Sequence, residues 1–153
     1  MPATKRPIVF WVVVAFLALS VVLMLMGQTM AVFNYDRAVQ MGLQESVDEV
    51  GEYGVQVNRA FGAGDTVVYV PLMLVSLVGL ILRKRWSLLT TAAVAGVSAY
   101  WSVTIMFCLL FLRGVPGYNY LPGPEIWLFV GVYAVVGIIG VFYLPLRAHK
   151  LLG

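Results

Sequence analysis

Four long apolar runs constrain the fold of this sequence more than any other feature. At a rise of 1.5 Å per residue, a helix needs about 20 apolar residues to cross the hydrocarbon core of a bilayer. Only 11% of the 153 residues are charged, whereas soluble domains carry about a quarter. The sequence therefore predicts an all-α integral membrane protein, a four-transmembrane-helix bundle in a single domain over residues 1–153. We place the spans at about residues 8–33, 66–82, 86–112 and 126–146.

The basic residues are concentrated at one end of this predicted bundle. Seven of the ten lie before span 1, between spans 2 and 3, or after span 4, namely Lys5, Arg6, Arg83, Lys84, Arg85, Arg147 and Lys150. The other three and all seven acidic residues fall on the opposite side. Because cytoplasmic loops are enriched in Lys and Arg, we expect a multi-pass protein of the cell membrane with both termini in the cytoplasm.

The N-terminal run allows a second interpretation. Lys5 and Arg6, the apolar stretch and the segment 27–31 together resemble a secretory signal peptide that would be cleaved after Ala31. The apolar stretch is longer than the 7–15 residues typical of such a peptide, so an uncleaved span is favoured. The mass of the intact protein distinguishes the two, because a chain beginning at Val32 would keep only three spans.

The two outer loops differ in character. In loop 34–65, the apolar residues Val39, Leu43, Val47 and Val50 have helical spacing, which predicts an amphipathic helix. Asn34 or Asp36 would cap this helix, and Gly51 and Gly54 would end it. We interpret its acidic face as solvated, and this face comprises Glu45, Asp48, Glu49 and Glu52. The other loop, 113–125, is rich in glycine and proline and predicts a series of tight turns.

Polar residues near the spans indicate where a site could lie, since such residues are costly inside a membrane. We predict an outward-facing pocket lined by Tyr69, Tyr100 and Trp101, with three charged residues at its mouth, Asp65, Arg113 and Glu125. The alternative is structural. Asp65 would then cap span 2, Arg113 would pair with a carboxylate to lock helix ends, and the aromatic residues would fill the core.

These features favour a non-enzymatic binding or accessory protein that holds a lipid-like ligand or a partner helix in an apolar pocket. The alternative is a membrane-embedded enzyme acting on a lipid or isoprenoid through Asp65 or Glu125 with Tyr69 or Tyr100. The uncharged span centres disfavour a transporter or channel subunit.

The composition and the helix faces also indicate which partners to expect. One cysteine and one histidine, Cys108 and His149, predict no metal site, and we expect no cofactor and no nucleic-acid partner. The bilayer is the expected environment. Small residues of spans 3 and 4 allow close helix packing, which we expect first within the bundle and, as the alternative, in a homodimer. They are Ala92, Ala95, Gly96, Ala99, Gly131, Ala134, Gly137 and Gly140.

Overall fold

A computed structural model describes residues 6–147 of the chain, and all the regular structure in this part is helical. The helices are α1 (Ile8–Phe33), α2 (Tyr35–Gln40), α3 (Val47–Ile81), α4 (Trp86–Phe111) and α5 (Pro124–Arg147). Four of them, α1, α3, α4 and α5, are long and apolar enough to cross a membrane. Over residues 6–147, the prediction of an all-α fold with four such helices is therefore confirmed.

The four long helices run alternately up and down. The guanidinium of Arg6 donates a hydrogen bond to the carbonyl of Ile81 at 3.2 Å, so the start of α1 lies beside the 82–85 turn that joins α3 to α4. We call this end of the bundle the termini end. The opposite end, which carries segments 34–46 and 112–123, is called the loop end. The most extensive helix contact joins α4 to α5.

Glycine allows α4 and α5 to approach closely. A Cβ atom added to Gly137 would lie 2.5 Å from the backbone nitrogen of Ala99, and one added to Gly140 would lie 2.7 Å from the Cβ of Ala95. The small faces of the two helices thus pack against each other within one chain. Added Cβ atoms at Gly96 and Gly131 would meet nothing within 4 Å.

The first loop does not form one amphipathic helix. α2 ends at Gln40, and a new helix begins only at Val47. Gly42 and Gly51 have φ values of 68° and 69°, a conformation that glycine adopts without steric cost, and each interrupts the helical path. The predicted cap is present, because the side chain of Asn34 accepts a hydrogen bond from the backbone N–H of Arg37 at 3.1 Å.

Span 2 is the last part of a longer helix, and Asp65 does not cap it. α3 continues through Asp65, whose φ and ψ are −62° and −41°. Gly62 lies inside this helix and faces α1, where an added Cβ would be 2.6 Å from the carbonyl oxygen of Gln28. A side chain at this position would collide with the backbone of α1. Of the two glycines that suggested a helix start, Gly62 therefore allows close packing of α3 on α1, whereas an added Cβ at Gly64 would meet nothing within 4 Å.

Both of these helices contain one π-helical turn at the same level. The turns are Leu25–Thr29 in α1 and Asp65–Tyr69 in α3, and they meet where the hydroxyls of Thr29 and Thr66 share a hydrogen bond of 2.9 Å. π-Turns often occur at functional sites. These two place Gln28 and Asp65 near the loop end of the bundle.

The outer surfaces of the long helices are strongly apolar. Ile8, Leu89, Phe111 and Leu128 are each 70% or more exposed. Lipid tails cover such surfaces in a bilayer, whereas water would leave them unpartnered. The distribution of exposed side chains therefore agrees with the membrane-spanning character of the helices.

Candidate ligand-binding pocket

A pocket of about 600 Å³ opens at the loop end between α1, α5 and the segment that links α2 to α3. Its volume lies within the range of sites that hold small ligands. The lining residues are Leu23, Met24, Gly27, Gln28, Val39, Gly42, Leu43, Gln44, Glu45, Glu49, Tyr120, Glu125, Ile126 and Phe129.

The lining of the pocket combines apolar and polar groups. Leu23 and Met24 of α1 and Ile126 and Phe129 of α5 supply apolar side chains, which we call the apolar floor. The polar lining residues form what we call the polar rim, namely Gln28, Gln44, Glu45, Glu49, Tyr120 and Glu125. An amphiphilic molecule matches this division, because one part of it requires hydrogen bonds and the other part does not.

The start of α3 is fixed by a capping box. The carboxylate of Glu49 accepts hydrogen bonds from the backbone N–H of Ser46 at 2.7 Å and from its hydroxyl at 2.8 Å. Such reciprocal caps satisfy backbone donors that a helix start leaves free. The second loop then docks here, because the backbone N–H of Asn119 donates to the carbonyl of Glu49 at 2.6 Å. Two segments far apart in sequence thus meet at the rim.

Glu45 is held by a small hydrogen-bond network. Its carboxylate accepts from the side-chain amide of Asn58 at 2.8 Å, and its carbonyl accepts from the hydroxyl of Tyr35 at 2.9 Å. Burial raises the pKa of Glu45 above its ordinary value of 4.5, and the hydrogen bond from Asn58 opposes part of this rise. Burial also raises the pKa of Tyr120 to about 12, with Glu45 and Glu49 contributing.

A smaller cavity of about 140 Å³ adjoins the pocket toward the bundle interior. The two share Gln28, Leu43, Gln44, Glu45, Ile126 and Phe129. Asn58, Phe61 and Trp101 line only the inner cavity. Asn58 and Phe61 precede Asp65 by seven and four residues, so they lie on the face of α3 that also carries Asp65.

The structure does not bring the six predicted site residues together. Glu125 lines the pocket and Trp101 lines the inner cavity. Tyr69 is buried, and its hydroxyl shares a hydrogen bond with Ser98 of α4. Tyr100 is 74% exposed on the opposite face of α4, because it follows Ser98 by only two residues. Tyr69 and Tyr100 therefore cannot line one pocket.

The two remaining predicted residues lie apart from the pocket lining. Arg113 is exposed just beyond the end of α4. Asp65 is 8% exposed, and its Oδ2 atom has no hydrogen-bond partner in the described part of the chain. A buried carboxyl oxygen without a partner is costly. Asp65 is thus a residue of the buried core and lines neither the loop-end pocket nor the inner cavity.

A hydrogen bond and an aromatic cluster separate this pocket from a second crevice. Tyr133 of α5 donates to Ser20 of α1 at 2.8 Å, and its ring packs against Phe16, Trp101 and Phe129. Beyond this contact, toward the termini end, lies an apolar crevice of about 400 Å³ between α1, α4 and α5. The seam between α1 and α5 therefore holds one polar-rimmed pocket and one apolar crevice.

The sequence analysis missed most of the polar rim. Glu45 and Glu49 were assigned to a solvated helix face, and neither Gln44 nor Tyr120 was predicted to line a pocket. One local indication was available, because Gln28 interrupts an otherwise apolar run. The rest required the contact between the two loops, which no local pattern encodes.

The part of the chain that the structure describes has four helices able to span a membrane and a polar-rimmed cavity at one end. No protein-family model matches it, and neither the curated proteins nor the solved structures contain a detectably similar chain.

Proposed function

We propose that this chain is a multi-pass membrane protein that binds a lipid-like amphiphile in the loop-end pocket without acting on it chemically. The observation that carries the proposal is the division of one cavity of about 600 Å³ into an apolar floor and a polar rim. A lipid-like molecule has the same division, with a head group that needs hydrogen bonds and a tail that does not.

The enzyme hypothesis receives less support from the geometry. Its proposed acid or base, Asp65 or Glu125, would have to act with Tyr69 or Tyr100. Tyr69 is buried against Ser98, and Tyr100 is exposed on the outer face of α4. Groups that transfer protons to a substrate must come within hydrogen-bond reach of the same atoms. A binding role requires only the lining that is present.

A bulky side chain at the pocket wall should abolish binding. Gly27 lines the pocket, and an added Cβ there would make ordinary contacts of 3.8 and 3.9 Å with Leu43. We expect Gly27→Leu to fold while its side chain occupies ligand space. Native mass spectrometry from mild detergent should show a lipid-sized adduct on the wild-type chain and not on the variant.

Gly96→Leu is the matched control, because an added Cβ at Gly96 meets nothing within 4 Å and the residue lines none of the pockets described above. This variant should keep the adduct. An adduct that persists equally in Gly27→Leu, or one lost equally in both variants, would contradict binding at the loop-end pocket.

We further propose that the loop end faces outward across the cell membrane and that both termini are cytoplasmic. The support is the charge pattern of the sequence, in which seven of the ten basic residues precede span 1, separate spans 2 and 3 or follow span 4. In a Cys108→Ala background, an impermeant maleimide added to intact cells should label Val115→Cys and leave Lys84→Cys unlabelled. Both positions are exposed. The reverse labelling pattern would refute this orientation.

A further inference from the structure

The polar rim of the loop-end pocket has a single sign of charge. Glu45, Glu49 and Glu125 contribute three carboxyl groups, and no lysine, arginine or histidine occurs among the described lining residues. Gln28 and Gln44 add amide oxygens that can accept hydrogen bonds. A cavity enclosed by low-dielectric walls and lined by one sign of charge attracts ligands of the opposite sign.

The carboxyl groups retain capacity for a ligand. Among the described residues, the side-chain amide of Asn58 donates to Oε2 of Glu45. Ser46 donates from its backbone N–H and its hydroxyl to Oε2 of Glu49. An ionised carboxylate offers about four lone-pair positions, so the Oε1 atoms remain as acceptors. Glu125 is exposed in the first turn of α5 and borders the pocket beside Ile126 of the apolar floor.

We propose that the pocket selects amphiphiles whose head group is a primary ammonium, an inference that rests on the amphiphile-binding function proposed above. A primary ammonium carries three N–H donors and one positive charge, which matches a rim of carboxylate and amide acceptors. A phosphate or carboxylate head group would meet like charge and would be excluded. The alkyl chain lies on the floor formed by Leu23, Met24, Ile126 and Phe129.

The test uses the full-length protein in nanodiscs of uncharged lipid. A long-chain primary alkylamine is titrated beside an alkanol and an alkyl phosphate of the same chain length, and beside ethylamine as a head group without a chain. We expect the alkylamine to bind at least about tenfold more tightly than the alkanol, equivalent to about 1.4 kcal/mol. The alkyl phosphate and ethylamine should not bind measurably.

Glu125→Gln is the most direct variant, because Glu125 is exposed and the structure gives its side chain no hydrogen bond to another described residue. The substitution should therefore leave folding unchanged. It should reduce alkylamine affinity about fivefold to tenfold and leave alkanol affinity unchanged. Glu52→Gln removes the same charge from an exposed residue outside the loop-end pocket, and it should reduce affinity by less than twofold.

The outcomes separate the two proposals. Equal affinity for alkylamine and alkanol would overturn the head-group inference and leave amphiphile binding intact. Tight binding of ethylamine alone would also overturn it, because the site would then accept a free cation. If none of the long-chain probes binds, the proposed function itself fails. An equal loss of affinity in Glu125→Gln and Glu52→Gln would show a general surface-charge effect and would refute recognition in the pocket.

Discussion

Replacing Gly137 with alanine should lower the free energy of unfolding by about 3 kcal/mol, because extra atoms in a closely packed interface force the surrounding structure apart. The added Cβ would lie 2.5 Å from the backbone nitrogen and 2.9 Å from the Cα of Ala99, and 2.9 Å from the carbonyl oxygen of Ala95. These are backbone atoms of α4, so no side-chain rotation can relieve the overlap. The two helices would have to separate along their most extensive contact.

Denaturant-induced unfolding in mild detergent, followed by tryptophan fluorescence, measures this loss. Gly131→Ala is the control on the same helix, because its added Cβ meets nothing within 4 Å. Alanine is the better helix former, by roughly 0.5–1 kcal/mol, so this variant should be unchanged or slightly more stable. Equal stabilities of the two variants would contradict the assignment of Gly137 to the α4–α5 contact.

The long helices could be predicted from sequence because their determinant is local. A run of apolar residues with few charges must satisfy its backbone groups internally in a membrane, and a helix is the simplest way to do so. The ends of the helices follow less directly. Gly62 and Gly64 resemble a helix start, yet α3 passes through both because Gly62 packs against the backbone of Gln28. Whether a glycine ends a helix or lies at a contact depends on its neighbours in space.

The predicted pocket illustrates a second limit. Residues three, four or seven apart on one helix share a face, whereas residues two apart do not. Ser98 and Tyr100 are therefore correctly expected on different faces of α4. This spacing does not say which face of α4 is turned toward α3. The hydrogen bond between Tyr69 and Ser98 places the serine face inside and exposes Tyr100. Which face of α4 packs against α3 depends on how the helices are arranged in space, and the spacing of residues along one helix does not determine it.

The polar rim depends on contacts that are remote in sequence. Asn119 reaches the start of α3 through its backbone N–H and its side-chain amide, which donate to the carbonyls of Glu49 and Asp48. Gly42 and Gly51 interrupt the helical path at positive φ, and this turns Glu45 toward Asn58. The acidic residues looked like a solvated face because one continuous helix was assumed. With the helix broken twice, Glu45 and Glu49 of that face line the loop-end pocket.

Acidification should weaken binding of the alkylamine, and the effect should begin at a higher pH than an exposed glutamate would give. Burial raises the pKa of Glu45, so Glu45 takes up a proton early as the pH falls and the rim loses one negative charge. Affinity should be constant well above this raised pKa and should fall by up to about tenfold per pH unit below it. Titration of the alkylamine at a series of pH values measures the profile.

The free protein should respond with the opposite sign. A carboxyl group whose pKa is raised on folding adds stability that is fully present below its unfolded pKa and is lost as the pH rises through its folded pKa. Acidification should therefore stabilise the loop end, seen as greater protection of residues 41–46 from hydrogen exchange after division by the intrinsic exchange rate at each pH. The titratable groups that surround Glu45 are Tyr35, Glu49, Tyr118 and Tyr120, with Glu125 beside Tyr120.

Glu45→Gln separates this carboxyl from its neighbours. The variant keeps an acceptor for Asn58 but cannot ionise, so both pH dependences should become flatter over the range set by the raised pKa of Glu45. The three surrounding tyrosines have raised pKa values and stay uncharged during acidification. A wild-type pH profile in Glu45→Gln would assign the titration to another carboxyl group and would remove Glu45 from ligand recognition. If Glu45→Gln removes the pH dependence of both alkylamine affinity and loop-end stability, the ionised carboxylate of Glu45 contributes to binding of the positively charged head group.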